Sequence, residues 1–321
     1  MEAIYRLEGA RVHTSKFAGG PWNHAMQHGS APASLIAYTA EHMPTLAPMR
    51  VARITIDLMR PVPIAALDIE TEIVREGRKI QLSSIRLLAD GTEVVRASVL
   101  KIRKIDLPLP PAADERKVEV PLPETLSDAP LSGEPVPFLT GLSMRDAKGT
   151  FRTAGPAAIW YRANRPIVEG EPISPLMRTT VAADFCNGAS SVLPWDSWTF
   201  INADLTITLA REPVGEWVLL DAETWAAPNG GGIAFAKLAD TTGYFGRAVQ
   251  NILVEKREFH FGTCVSGHDG KVVHSLQTSL ELVSRRYSAY RLNDDFGQLT
   301  AIGLQIAGFP PRGVSVRVAL W

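Results

Sequence analysis

Cysteine is nearly absent from this chain: Cys186 and Cys264 are the two in 321 residues. Two cysteines cannot build a disulfide framework, so the fold must stand on its packed core, and a reducing cytoplasm is the expected compartment. No apolar run approaches the ~20 residues of a membrane span. The start, Met1-Glu2-Ala3-Ile4-Tyr5-Arg6, lacks the basic-then-apolar pattern of a secretory leader. Excess charge is lacking too. A formal net charge of -1 gives no electrostatic reason to expect a nucleic-acid or membrane partner. Gly-rich phosphate loops, serine nucleophile elbows and paired-cysteine signatures are missing as well, and Gly230-Gly231-Gly232 reads as a plain loop. With 45% apolar and 21% charged residues, what remains is an ordinary globular chain, long enough for about two domains.

What is present is a repetition. Arg60-Pro61-Val62-Pro63, Leu67-Asp68-Ile69-Glu70-Thr71, Leu88-Ala89-Asp90-Gly91 and Arg96-Ala97 form one series. Arg211-Glu212-Pro213-Val214, Leu220-Asp221-Ala222-Glu223-Thr224, Leu238-Ala239-Asp240-Thr241 and Arg247-Ala248 repeat it in order. A period of roughly 150 residues is too long for a solenoid and points to two fused copies of one domain.

Each copy opens with a helix. In the first, within residues 21–44, Ser30 suits an N-cap, Pro32 the first turn and Pro44 the stop. The positions between are apolar nearly all round, so this helix must be enclosed. In the second, Ser174 and Pro175 mark the start and Gly188 the stop. Strands are expected after the first helix at 53–58, 67–75, 79–88 and 93–102, with Asp90-Gly91 as a hairpin, and after the second at 202–210, 216–226, 232–239 and 246–255. One enclosed helix followed by antiparallel strands, twice, is an α+β pattern: each sheet curls round its helix, and two units side by side join into one sheet. The expected organisation is a first domain at 1–104, a linker at 105–137 carrying eight prolines, a second domain at 138–257, and an extension at 258–321 without a firm fold signal. Segment 279–283 is a candidate for order within that extension. His260, Cys264, His268 and His274 match no standard zinc spacing, so no metal site and no cofactor are expected.

The copies differ where chemistry would sit. The first helix starts Gln27-His28-Gly29-Ser30, and nine residues past His28 stands Ala37. The second starts Ser174-Pro175-Leu176, and nine residues past Pro175 stands Asp184. One copy keeps the glycine-bearing start and the other the acid, as a single composite site between the two would leave them. Carboxylates are seldom buried in apolar stretches such as 181–186 without a partner or a task, though an aspartate at a helix boundary is the structural alternative. Gln250 shares a strand face with Ala248 and Ile252, and its counterpart is Val99; a satisfied core amide is the plainer alternative. Asn202 shares parity with Asp204, Thr206 and Thr208, a polar face. At His28 and Gly29 the free N–H groups of a helix start can hold a carbonyl oxygen as it turns negative.

At these residues the chain resembles the double-hotdog acyl-CoA thioesterases, the acyl-CoA thioesterase II family and its thioesterase-like relatives, over about residues 15 to 257 by motif matching. Gln27-His28-Gly29, Arg60-Pro61 and Arg96-Ala97-Ser98 are similar to the first hotdog. Ala183-Asp184-Phe185, Asp204 through Arg211, and Val249-Gln250 are similar to the second. The resemblance implies an intramolecular pseudo-dimer that hydrolyses an acyl-CoA thioester with water. An aspartate, a hydroxyl residue and a glutamine would hold the water: Asp184, the position taken here by Asn202, and Gln250. His28, Gly29 and Ser30 would serve the oxyanion and substrate, and the acyl chain would lie between the helices. Single-hotdog relatives carry a second glycine where Ser30 stands. The resemblance implies acyl-CoA as the substrate partner and a place in fatty acid metabolism, and assembly into a homo-oligomer is left open. Two other functions fit the pattern: a non-catalytic acyl-CoA or acyl-carrier binding module, and an enoyl-CoA hydratase, disfavoured because no histidine follows Asp184 closely.

Overall fold

The computed structural model describes residues 1–257 apart from 24, 111–116, 131–134 and 152, together with the backbone of 289–293 and 299–304. Contacts divide the chain into two compact units, Met1–Glu255 and Lys256–Trp321.

In the first unit, strands β1 (Tyr5–Glu8) and β2 (Arg11–Thr14) precede helix α1 (Ser30–His42). Strands β3 (Met49–Leu58), β4 (Leu67–Arg75), β5 (Ile80–Ala89) and β6 (Thr92–Arg103) follow it. Strands β7 (Leu142–Lys148) and β8 (Ala157–Ala163) lead into α2 (Pro175–Ala183) and the one-turn α3 (Cys186–Ala189). The unit ends with β9 (Trp198–Asn202), β10 (Asp204–Leu209), β11 (Val218–Ala226), β12 (Gly231–Asp240) and β13 (Gly243–Lys256). All thirteen strands belong to one antiparallel sheet in the order β1-β2-β4-β5-β6-β3-β10-β13-β12-β11-β8-β7, with β9 also on β13. That order reads as the same arrangement from either end, and β3 and β10 meet in the middle. Their ladder pairs Asp57 with Asp204 and Arg53 with Thr208, centred on Thr55 opposite Thr206. The hydroxyls of those two threonines meet at 3.4 Å across the pseudo-twofold axis.

The enclosed helices are as the apolar pattern requires. Every residue of α1 from Ser30 to Ala37 is buried. The helices run antiparallel, because the start of α1 meets the end of α2 through Ser30 Oγ donating to the Val181 carbonyl at 3.0 Å. The start of α2 meets the end of α1 through Ser174 Oγ donating to Glu41 Oε2 at 2.6 Å. The Asp90-Gly91 hairpin forms, with both residues at positive φ, 48° and 71°.

Four features differ from the sequence expectations. First, β1 and β2, and likewise β7 and β8, precede the helices; the strands are four residues long in β1 and β2, too short for alternation to register. Second, Gly29 rather than Ser30 caps α1, and Ser30 makes no capping bond because its hydroxyl is turned toward α2. Third, α2 ends at Ala183, with Asp184 as its C-cap, and Gly188 lies inside α3 rather than ending the helix. Fourth, the strand expected at 202–210 breaks at Ala203 into β9 and β10.

The Pro-rich stretch has a packing role in its described part. Val118, Val120 and Leu126 lie on the outer face of the sheet against a small cluster of Trp160, Trp217 and Leu219. Trp160 Nε1 donates to the Pro121 carbonyl at 2.9 Å. In the second unit, β14 (Ala289–Asn293) and β15 (Leu299–Leu304) pair antiparallel. Segment 279–283, His260, Cys264, His268 and His274 lie outside the described residues.

Candidate active site

The end of α2 and the start of α1 place Asp184 between the two halves. Its carboxylate is almost covered, with 5% of the side chain exposed. Three donors reach it from different elements. Ser30 Oγ donates to Oδ2 at 3.1 Å from the first turn of α1. Asn202 Nδ2 donates to Oδ1 at 3.1 Å from the end of β9. Gln250 Nε2 donates to the Asp184 main-chain oxygen at 3.0 Å and approaches Oδ1 at 3.3 Å from the middle of β13. A carboxylate gathered by donors in a covered place is held in one orientation.

His28 adds a fourth contact, Nδ1 standing 3.2 Å from Asp184 Oδ2. The ring lies between Phe138 at 4.8 Å and Phe185 at 4.7 Å, centroid to centroid. The Ser30 N–H also points at Nδ1, at 3.1 Å. One ring nitrogen holds either a proton or a lone pair. It donates to the carboxylate or accepts from the amide, and the position of the ring proton decides which.

Gly29 explains how the halves come this close. A methyl group on its Cα would sit 2.6 Å from Asp184 Oδ1 and 2.8 Å from Oδ2, inside van der Waals contact. Its backbone is ordinary right-handed helix, φ -55°, so close approach and not conformation calls for glycine. Among the described residues, the His28 N–H is bound to the Ala18 carbonyl at 2.7 Å. With the Ser30 N–H turned to His28, the Gly29 N–H is the first-turn donor for which no acceptor is found among the described residues.

The structure therefore brings all six sequence-predicted residues together: His28, Gly29 and Ser30 from one half, Asp184, Asn202 and Gln250 from the other. Ala248, Gln250 and Ile252 are buried on one face of β13, as parity required. Asn202 arrives by another route than parity. The break at Ala203 turns it to Asp184, while Asp204 takes the Asn251 N–H at 2.6 Å. Two further features escaped the sequence. Phe138 and Phe185 clamp His28, and Asn187 lies one turn beyond Asp184. The Asn187 N–H donates to Gln250 Oε1 at 3.1 Å, so it fixes which way the glutamine amide faces. A one-turn interval from the acid was the signal available for Asn187.

Cys186 stands next to this group but is no nucleophile. Burial, then the neighbouring Asp184 charge, push its thiol well above its ordinary range, and it is fully buried. Among the described residues no helix is long and apolar enough to cross a membrane.

Comparison with known proteins agrees with this fold. The family model described as the acyl-CoA thioesterase N-terminal domain matches residues 18–102, and the one described as the acyl-CoA thioesterase C-terminal domain matches 115–254. No match was found among curated proteins. Solved structures share the fold. A candidate thioesterase from Novosphingobium aromaticivorans is 18% identical with a TM-score of 0.62, over 79% of this chain and 99% of that one. A hot dog protein of unknown function from Alicyclobacillus acidocaldarius is 15% identical, TM-score 0.63, over 78% and 95%. The acyl-CoA thioesterase II TesB2 of Mycobacterium marinum is 16% identical, TM-score 0.56, over 78% and 95%. The fold is a double hotdog, and the chain belongs to the acyl-CoA thioesterase family, whose N- and C-terminal domains it carries in order.

Proposed function

We propose that the protein hydrolyses an acyl-CoA thioester to the free acid and CoA at the Asp184 site. The observation that carries this is a carboxylate held by Asn202 and Gln250 against the glycine-bearing start of the other half's helix. Asp184 Oδ1 takes a proton from a water that Gln250 and Asn202 orient. The water oxygen attacks the thioester carbon, the carbonyl electrons move to its oxygen, and the Gly29 N–H stabilises that oxyanion. Collapse expels the CoA thiolate, which recovers the proton. One oxyanion donor contributes roughly 3 kcal/mol, and orientation of the water supplies much of the rest. Ser30 Oγ holds Asp184 Oδ2, and Asn202 and Gln250 hold Oδ1, so the carboxylate meets the water in one fixed orientation. The chain acts in the cytoplasm, in keeping with a free, buried Cys186.

Thiol release from a panel of acyl-CoAs tests the assignment. Asp184→Ala should lower kcat by about 10³-fold with the melting temperature retained, because proton transfer by a placed base is worth about 10² to 10⁴. Turnover at the wild-type rate removes Asp184 from the mechanism. Binding without thiol release by the wild type would make the protein a carrier. A hydratase is the second reading that an observation favours. The sequence argued against it for want of a histidine near Asp184, yet His28 reaches that carboxylate from the other half. Water addition to an enoyl-CoA, followed by loss of enoyl absorbance without free thiol, would identify it.

A further inference from the structure

Gln27 opens the Gln27-His28-Gly29 motif yet takes no part in the chemistry proposed above. It is 9% exposed, and its polar groups fix the chain just ahead of α1. Its N–H donates to the Val62 carbonyl at 2.7 Å. Its Nε2 donates to the Pro63 carbonyl at 2.8 Å and to Thr14 Oγ1 at 3.4 Å. The Pro63 carbonyl can only accept, so the amide oxygen of Gln27 must face the other way. There it meets the Tyr5 hydroxyl, at 2.5 Å. An amide oxygen only accepts, so the phenol donates.

Tyr5 is held from the opposite side. Its N–H donates to the Ile167 carbonyl at 2.8 Å, and its own carbonyl accepts the Glu169 N–H at 2.9 Å. The Ile4 N–H donates to the Pro166 carbonyl at 3.0 Å. These bonds lay the start of β1 alongside segment 166–169, which leads into α2 and so to Asp184. One residue thus has its main chain on the approach to the acid and its hydroxyl on the approach to the oxyanion turn. Tyr5 is buried, and burial pushes its phenol well above the ordinary range, so it stays a donor. The turn it reaches is closely hemmed. The His28 N–H is on the Ala18 carbonyl at 2.7 Å, and a methyl group on Gly20 would lie 3.2 Å from the His28 nitrogen and Cα. Beside Asp184, Gly29 has no space for a methyl group at all. A displacement of about 1 Å at such a place costs on the order of 10²-fold in rate, even when its origin is remote.

Resting on the thioesterase reading above, we propose that Tyr5 is a positioning residue: its hydroxyl, through Gln27, sets the Gly29 N–H in register with Asp184 across the two halves.

Tyr5→Phe keeps the ring and removes the donor. On an acyl-CoA that the wild type hydrolyses, thiol release by the full chain should show kcat about tenfold lower with KM within about a factor of two. Gln27→Met removes the acceptor and should show the same split. Adding Tyr5→Phe to Gln27→Met should lower kcat no further, because the bond is already gone. A merely structural role would lower the melting temperatures and leave kcat of the folded variants at the wild-type value. That result overturns the proposal, as does a loss carried by KM or a full second loss in the double variant. Should Tyr5→Phe not fold, Gln27→Met decides by the same split. Should the wild type hydrolyse no thioester, the thioesterase reading fails, and the positioning is tested by amide hydrogen exchange. Tyr5→Phe should then speed exchange of the Gln27 and His28 N–H groups about tenfold, with amides in the middle of β13 at their wild-type rates. Unchanged rates at Gln27 and His28, or equal speeding in β13, overturn the proposal.

Discussion

The two ends of the helix pair are built alike and equipped differently. At one end a serine of α1 meets the acid Asp184 of α2; at the other a serine of α2 meets the acid Glu41 of α1. Counting along the helices had assigned Ala37 opposite Asp184 and so no acid to the first half, but the spatial partner one turn later, Glu41, is acidic. What separates the ends is the company each acid keeps. Asp184 has a glycine against it and two amides on it. Near Glu41 the interior of β6 carries Val99 and then Lys101, which is 3% exposed and donates to the Met43 carbonyl at 2.9 Å. Gln81 likewise closes on the Pro44 carbonyl at 2.7 Å. The second end spends its polar groups on the chain reversal after α1, and the first keeps them around a carboxylate. The two ends differ in the donors around each acid, and an acid stands at both.

The comparison breaks most sharply at the acids. Asp184→Asn should reduce kcat for thiol release about 10³-fold, and Glu41→Gln should leave it within a factor of two. Equal losses in both would mean that both ends act. Next comes an ion pair present in one copy alone. Asp240 is fully buried, and Arg211 grips it at 2.5 and 2.9 Å. Burial alone would raise the Asp240 carboxyl, but Arg211, Thr242 and the Val214 N–H outweigh it and hold the carboxyl below its usual range. The matching Arg60 instead donates to the Glu93 carbonyl at 3.2 Å, and Asp90 is exposed at its hairpin. Arg211→Ala should therefore cost about 3–5 kcal/mol in denaturant unfolding and Arg60→Ala under about 0.5. The stability Asp240 supplies is present above the unfolded carboxylate range and is lost as pH falls through its depressed folded value.

Gly29→Ala sharpens the comparison from the other half. The added methyl must push the Asp184 carboxylate aside, and kcat should fall about 10²-fold with KM little changed. A variant as active as the wild type would show that the approach of the two halves is not needed. The smallest effect belongs to Lys101. Burial holds its ammonium below the ordinary 10.5, against the favourable charge of Glu41. The unfolded chain then binds the extra proton, so stability should rise with pH from the depressed folded value up to about 10.5. Lys101→Met should flatten that rise in urea unfolding midpoints measured across this range; an unchanged slope would show that Lys101 does not cause it.

Much of this was legible in the residues, for identifiable reasons. A repeat with its own turn and helix punctuation survives in sequence, and a lone acid or amide on an apolar face stands out against it. That is why Asp184, Gln250 and Gly29 could be named. The short leading strands were invisible because four residues cannot show a period. The break at Ala203 was hidden as well, since it is made by Asp204 reaching the Asn251 N–H on a strand far along the chain. Asn187 and the Phe138–His28–Phe185 stack depend on which loops meet, and no single stretch of sequence records that. The functional reading rests on the asymmetry of the copies.

The central position of β10, held between β3 and β13, has a consequence for incomplete chains. A polypeptide interrupted by proteolysis or stalled synthesis before β13 carries the carboxylate without the glutamine, and leaves the strand that joins the halves unflanked on one side. If the proposed mechanism holds, such fragments should release no thiol, and the onset of turnover in a refolding mixture should then mark the closing of that last ladder.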